Sequence, residues 1–225
     1  MSHYVERLNY YAPEITTAIT QTSIMLTIAM LAALLIGLPL GVILYLAQLP
    51  GTYQNKRRVT LINSYINIVR SFPFLLFVIA LIPLTRLLLG SAFGTYPASF
   101  PLSLVAIALY SRLVEQVLLD VPLTVYELAE SLGSSTWQFV RYFLLVEARS
   151  GLVLSFTSVM ISMVSYSTVM GMIGGGGIGD FAIRYGYQRY EYDIMYTTII
   201  IMILFVMFCQ FVGTTLAKKI DKRKN

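Results

Sequence analysis

The chain has one histidine, one cysteine and few charges, and each shortage removes a class of function. Only His3 offers an imidazole and only Cys209 a thiol, at opposite ends of the sequence. A metal-ligating cluster or a Cys/His nucleophile pair is therefore not on offer. Cys209 has no partner for an internal disulfide, so the redox compartment is not encoded either. The pattern G-x-x-x-x-G-K-[ST] occurs nowhere, which leaves no P-loop to hold a nucleotide. Charged residues amount to 12%, against roughly 25% in an ordinary soluble domain. In their place stand 57% hydrophobic residues and a mean hydropathy of +0.73. This is the composition of an integral membrane protein.

A spanning helix needs about 20 mostly apolar residues, each adding about 1.5 Å across a hydrocarbon layer about 30 Å thick. Three runs, Ile24 to Leu46, Leu152 to Ile173 and Ile194 to Leu216, contain no charge at all. Two weaker ones carry Arg70, or Arg112 and Glu115. The reading is five spans in a single domain over 1–225, at about 20–47, 59–86, 98–119, 151–173 and 194–216, with a polar loop at 120–148. The first run is not a cleaved signal peptide, being too long, interrupted by Pro39 between Gly37 and Gly41, and without a basic segment before it.

Net charge of +5 says less here than where the basic residues fall. Five spans put Lys56, Arg57, Arg58, Arg70, Arg112, Arg141, Arg149, Lys218, Lys219, Lys222, Arg223 and Lys224 on one side, and Arg7, Arg86, Arg184 and Arg189 on the other. The positive-inside rule then predicts an outer N-terminus, a cytoplasmic tail and a cytoplasmic loop at 120–148.

That loop is polar for so apolar a chain, with Glu127, Glu130, Arg141 and Glu147. Asp120 can cap a helix with Pro122 in its first turn. Val125, Leu128, Ala129 and Leu132 recur at i, i+3, i+4 and i+7, which predicts one apolar face. Gly133 stops this helix, and Ser135 with Gln138 forms a capping box for a second one carrying Trp137, Val140 and Leu144. Two short amphipathic helices follow, joined by a Gly-Ser turn. They could rest on lipid headgroups. The first, however, has two glutamates and no basic residue, a poor match to an anionic inner leaflet, so a protein partner fits better.

Glu127, Ala129 and Gly133, followed by Leu145 before Glu147 and Ala148, resemble the cytoplasmic "EAA" loop of ABC importer permeases. Val146 stands where that family has proline, and Leu128 where it often has alanine. NIVRSFPFLLFVIALIPLTR (67–86) and GGGGIGDFAIRYGYQRY (174–190) are similar to the permease subunit of methionine-type importers. The resemblance covers nearly the whole chain. It implies an all-α membrane protein with the ABC importer permease fold, in which a coupling helix between the third and fourth spans docks on a partner ATPase. Glu127, Leu128, Ala129, Leu132, Gly133 and Ser134 are the expected coupling residues. The permease would itself be no enzyme and bind no cofactor, with ATP and magnesium held in the ATPase. Implied partners are a second copy in a homodimer, two ATPase subunits, an extracytoplasmic methionine-binding protein and membrane lipid, with no nucleic acid. The implied location is the inner membrane of a bacterium.

Other signals admit more than one reading. Gly174, Gly176 and Gly179 fit G-x-G-x-x-G but follow an apolar helix, not a strand, which excludes a dinucleotide fingerprint. These glycines and Gly177 allow a sharp backbone turn; by resemblance they, Tyr185 and Arg189 would contact the binding protein, while the aromatic residues could equally form an interfacial belt. Pro73 should kink the second span, with Arg70 snorkelling to the inner surface. Arg112 and Glu115, at i and i+3, can neutralise each other. In the fourth span, the hydroxyls of Ser165, Ser167 and their neighbours serve either as packing contacts or as a polar path. The resemblance favours the path, lined by Met163, Ser165, Tyr166, Ser167, Val169 and Met170, where related permeases often have methionine in place of Val169. The expected function is ATP-driven import of methionine, L- and also D-, by alternating access. An importer of another amino acid or small polar solute, and an ATP-independent channel, stand as alternatives.

Overall fold

A computed structural model describes residues 2–49 and 56–221, so Lys222, Arg223 and Lys224 of the basic tail lie outside the described residues. Among the described residues all regular structure is helical: α1 (Ser2–Ala32), α2 (Leu38–Leu46), α3 (Lys56–Ser71), α4 (Phe74–Leu89), α5 (Thr95–Leu119), α6 (Leu123–Ser131), α7 (Thr136–Gln138), α8 (Leu145–Met170), α9 (Gly177–Phe181) and α10 (Tyr192–Ile220). Four π-helical turns, Ala33–Gly37, Phe139–Leu144, Gly171–Gly175 and Ala182–Tyr187, are spliced between them. A π turn absorbs an extra residue without breaking the helix, and the first prepares for Pro39, whose missing amide then falls in the opening turn of α2.

Four helical stretches are long and apolar enough to cross a membrane: Asn9–Leu46, Thr95–Leu119, Thr136–Gly175 and Tyr192–Ile220. The bent pair of α3 and α4 makes a fifth if taken as one broken span. The kink expected at Pro73 is thus a full interruption. Pro73 has an extended ψ of 128° and serves as the N-cap of α4. The first helix starts well before residue 20, because the polar segment from Ser2 continues the α1 backbone ladder into the apolar run.

The chain falls into two compact units. One comprises Met1–Leu31, Phe72–Leu104 and Met160–Cys209. Its core gathers Tyr11, Ala18, Ile178, Phe181 and Ile194, with Ile15, Tyr185 and Met202 packed against them. The other comprises Ala32–Ser71, Val105–Val159 and Gln210–Asn225. Here Gly37 and Gly41, one helical turn apart, let α2 lie close on α5: a Cβ on Gly41 would come within 2.6 Å of the Ser111 carbonyl and of Val114. Tyr110 is buried with its ring 5.3 Å from that of Phe156, and Ser150 donates to the Ala217 carbonyl at 3.1 Å, fastening α8 to α10.

Candidate functional site

The polar loop lies in the second unit. Its helix α6 begins two residues later than a cap at Asp120 would place it. Pro122, with φ −56° and ψ 137°, is the N-cap and not part of the first turn, and no side chain caps the helix, so Asp120 does not play that part. A proline in this position supplies a preset φ without wasting a donor. The other end follows the sequence closely. Gly133 adopts φ +67°, its amide donates to Glu130, and the Ser134 amide and hydroxyl both reach the Ala129 carbonyl at 3.0 and 2.8 Å. The carbonyls left over at the helix end are thereby satisfied. Ser135 and Gln138 complete the capping box, with bonds of 2.8 and 3.3 Å.

One expectation for the loop needs correction. The second helix is not separate: α7 passes through the π turn Phe139–Leu144 straight into α8, making one helical stretch from Thr136 to Gly175. With Val146 in place of a proline nothing breaks the backbone ladder. The four apolar positions of α6 differ in what covers them. Ala129 is buried and Val125 half-buried, while Leu128 and Leu132 are 55% and 67% exposed. The inward side is completed by Tyr126, whose ring meets Phe139 edge-on at 5.3 Å. Ala129 is thus an anchor between α6 and its own unit. Leu128, Leu132 and Trp137, with Leu123 and Tyr142, turn outward beside the exposed Glu127 and Glu130. The sequence reading missed Leu123, Trp137 and Tyr142 as part of this surface; their size amid polar neighbours was the signal that could have found them. Covering a leucine side chain contributes about 2 kcal/mol, so Leu128 and Leu132 leave apolar area uncovered beside two exposed carboxylates.

The residues expected along a path in the fourth span lie in the first unit and divide between two sides of α8. Met163, Ser167 and Met170 are buried in the chain itself, and the Ser167 hydroxyl is spent on the Val164 carbonyl at 2.7 Å. Ser165 is exposed, with Tyr166 and Val169 half-buried. Tyr166 stacks on Phe74 at 4.4 Å. Ser165 also borders an apolar groove of about 400 Å³ between α8 and α10, closed by Ile178 and Ala182.

Beyond the fourth span, the glycine segment is folded onto α1. Gly177, at φ +86°, donates its amide to Gln21 Oε1 at 2.7 Å, and the Ile178 amide reaches Thr22 Oγ1 at 2.9 Å. Gly177 and Gly179 are buried, Gly176 is half-buried and Gly174 exposed. Nearer its N-terminus α1 is held again, where Arg7 bridges Glu191 and Asp193, each at 2.9 Å, and Tyr11 donates to Glu191 at 3.0 Å. The bond to Glu191 raises the Arg7 guanidinium above its usual value, so it stays cationic. Gln21, Thr22, Arg7 and Glu191 were not singled out in the sequence; their partners lie far along the chain and no local pattern marks them. Arg189 lies over the Tyr185 ring at 4.5 Å, and Tyr187 and Tyr190 are exposed. A cavity of about 290 Å³ opens between α1 and this segment, lined by Glu14, Thr17, Gln21, Asp180 and Arg184 among others.

The chain is similar to known proteins in sequence and in fold. A Vibrio cholerae protein named probable D-methionine transport system permease protein MetI is 40% identical over 92% of this chain and 92% of its own. The methionine import system permease protein MetP of Bacillus subtilis is 32% identical over 80% of this chain and 82% of its own. A solved structure of the MetNI methionine ABC transporter in an inward-facing conformation matches with a TM-score of 0.88 at 32% identity, over 93% of this chain and 97% of that one. The model of the binding-protein-dependent transport system inner membrane component matches residues 37–225. The chain belongs to the binding-protein-dependent transport system inner membrane component family, and is an α-helical permease subunit of an ABC transporter.

Proposed function

We propose that this permease imports methionine, working as a homodimer with two ATPase subunits on its cytoplasmic side and an extracytoplasmic binding protein above. The N-terminus faces outward and the tail the cytoplasm of a bacterial inner membrane, in keeping with the distribution of basic residues. The observation that carries the reading is the bare knob of Leu128, Leu132 and Trp137 between Glu127 and Glu130, held rigid by the Gly133 cap and the Ser135 capping box. Closure of ATP-loaded ATPases draws the two knobs together, and continuity of α7 with α8 passes the movement into the fourth span, whose Ser165, Tyr166 and Val169 side lines the path at the twofold axis. Nucleotide and magnesium belong to the ATPase. The binding protein meets the surface formed by Gly174, Tyr185, Arg189 and the exposed tyrosines. The names of the relatives support methionine as cargo, D-methionine included.

Reconstitution of the chain with its ATPase and binding protein tests this. Uptake of labelled L- and D-methionine should require ATP, and other amino acids should stimulate hydrolysis far less. Full flux without nucleotide would instead establish a channel.

A further inference from the structure

The second unit holds a polar cluster in an otherwise apolar setting. Arg112 Nη1 contacts Glu115 Oε2 at 2.6 Å, one turn before α5 ends. The other prong of the guanidinium donates to Asn63 Oδ1 at 3.2 Å and Asn67 Oδ1 at 3.0 Å, both on α3. Gln48, just past α2, donates to the remaining Glu115 oxygen at 2.8 Å. Glu115 is 6% exposed. Mutual neutralisation needs only Arg112 and Glu115, and would be met by the pair alone. Two asparagines at i and i+4 on another helix, both presenting a carbonyl oxygen to one guanidinium, do something further: they fix the register of α3 against α5 by directional bonds. Apolar side chains at the same contact would permit sliding, since their attraction has no direction.

The position of the cluster gives this register a use. Glu115 stands four residues before the end of α5, and α6 begins at Leu123. Displacement of α6 therefore moves the last turn of α5 first. α3 ends at Ser71, at the interruption before Pro73, and helix interruptions within a membrane are where transporters form and open their paths. We propose that Arg112, Asn63 and Asn67 are positioning residues for transport, a clamp that carries movement of the coupling loop from α5 to α3, with Glu115 and Gln48 holding the guanidinium in place. This rests on the coupling reading above.

The test uses the complete complex in proteoliposomes, reading ATP hydrolysed per methionine taken up. Changing Asn63→Leu and Asn67→Leu together detaches α3 while leaving the ion pair intact. Hydrolysis should persist while the ratio rises by about fivefold or more, the lower end of ordinary coupling between sites. Asn67→Asp, which restores an acceptor for Arg112, should bring the ratio back towards wild type in the Asn63→Leu background. A structural role alone would lower both rates together and leave the ratio unchanged, which overturns the proposal. Should the double variant fail to assemble, Asn67→Leu alone decides, an unchanged ratio again counting against the clamp. Nucleotide-independent uptake by the wild type would sink the coupling reading itself, a different and separable outcome.

Discussion

Gly133 shows how much one backbone angle can decide. At φ +67° a β-branched residue costs about 1–2 kcal/mol, and nothing within 4 Å would obstruct a Cβ there. Gly133→Ile should therefore fold and insert yet misplace Leu128 and Leu132, cutting ATP-driven uptake in vesicles while the partner continues to hydrolyse ATP. Gly133→Asn should retain most uptake, because asparagine tolerates the left-handed region. At the other end of the chain, Gln21→Leu leaves the buried Gly177 amide without its acceptor, a loss of roughly 1–3 kcal/mol. The thermal midpoint of the detergent-solubilised protein should fall, and a midpoint equal to wild type would show that the bond contributes nothing. Gly133 was legible in the sequence because a helix stop is written within a few residues. Gln21 was not, since its partner is Gly177 and only the fold brings the two together.

Among the elements, the capping box Ser135–Gln138 was readable for the same reason of locality, and it is present. Ser135→Ala should cost about 1 kcal/mol. Amide exchange at Thr136 to Gln138 should quicken accordingly, with exchange further along α8 unaffected. What the residue pattern did not reveal was the continuity of α7 and α8. Aromatic and polar residues from Trp137 to Tyr142 read as a short separate helix, and a π turn leaves no signature of composition. The start of α6 was misplaced by two residues because Asp120 looked like a side-chain cap, whereas Pro122 takes the N-cap with no side-chain bond. An i, i+3, i+4, i+7 pattern identifies a stripe of apolar residues but not what covers it, and here Ala129 turns to the chain while Leu128 and Leu132 turn away.

For the molecule as a whole, membrane class followed from composition and apolar run length, quantities that average over many residues, whereas Pro73 announced a bend but not the full interruption between α3 and α4. The family followed from three stretches of sequence. Sidedness can be measured directly. In a Cys209→Ser background, Arg189→Cys should react with a membrane-impermeant thiol reagent added outside intact cells, and Glu130→Cys only after permeabilisation; the reverse pattern would invert the topology. Leu132→Asp with Trp137→Asp should abolish copurification of the ATPase while membrane insertion is kept. The outward side chains of α6 and α7 carry one more consequence. Synthesised in excess of whatever covers them, these polypeptides would display the same greasy knob that marks damaged proteins for chaperones and proteases. Surplus copies should therefore be cleared faster than assembled ones.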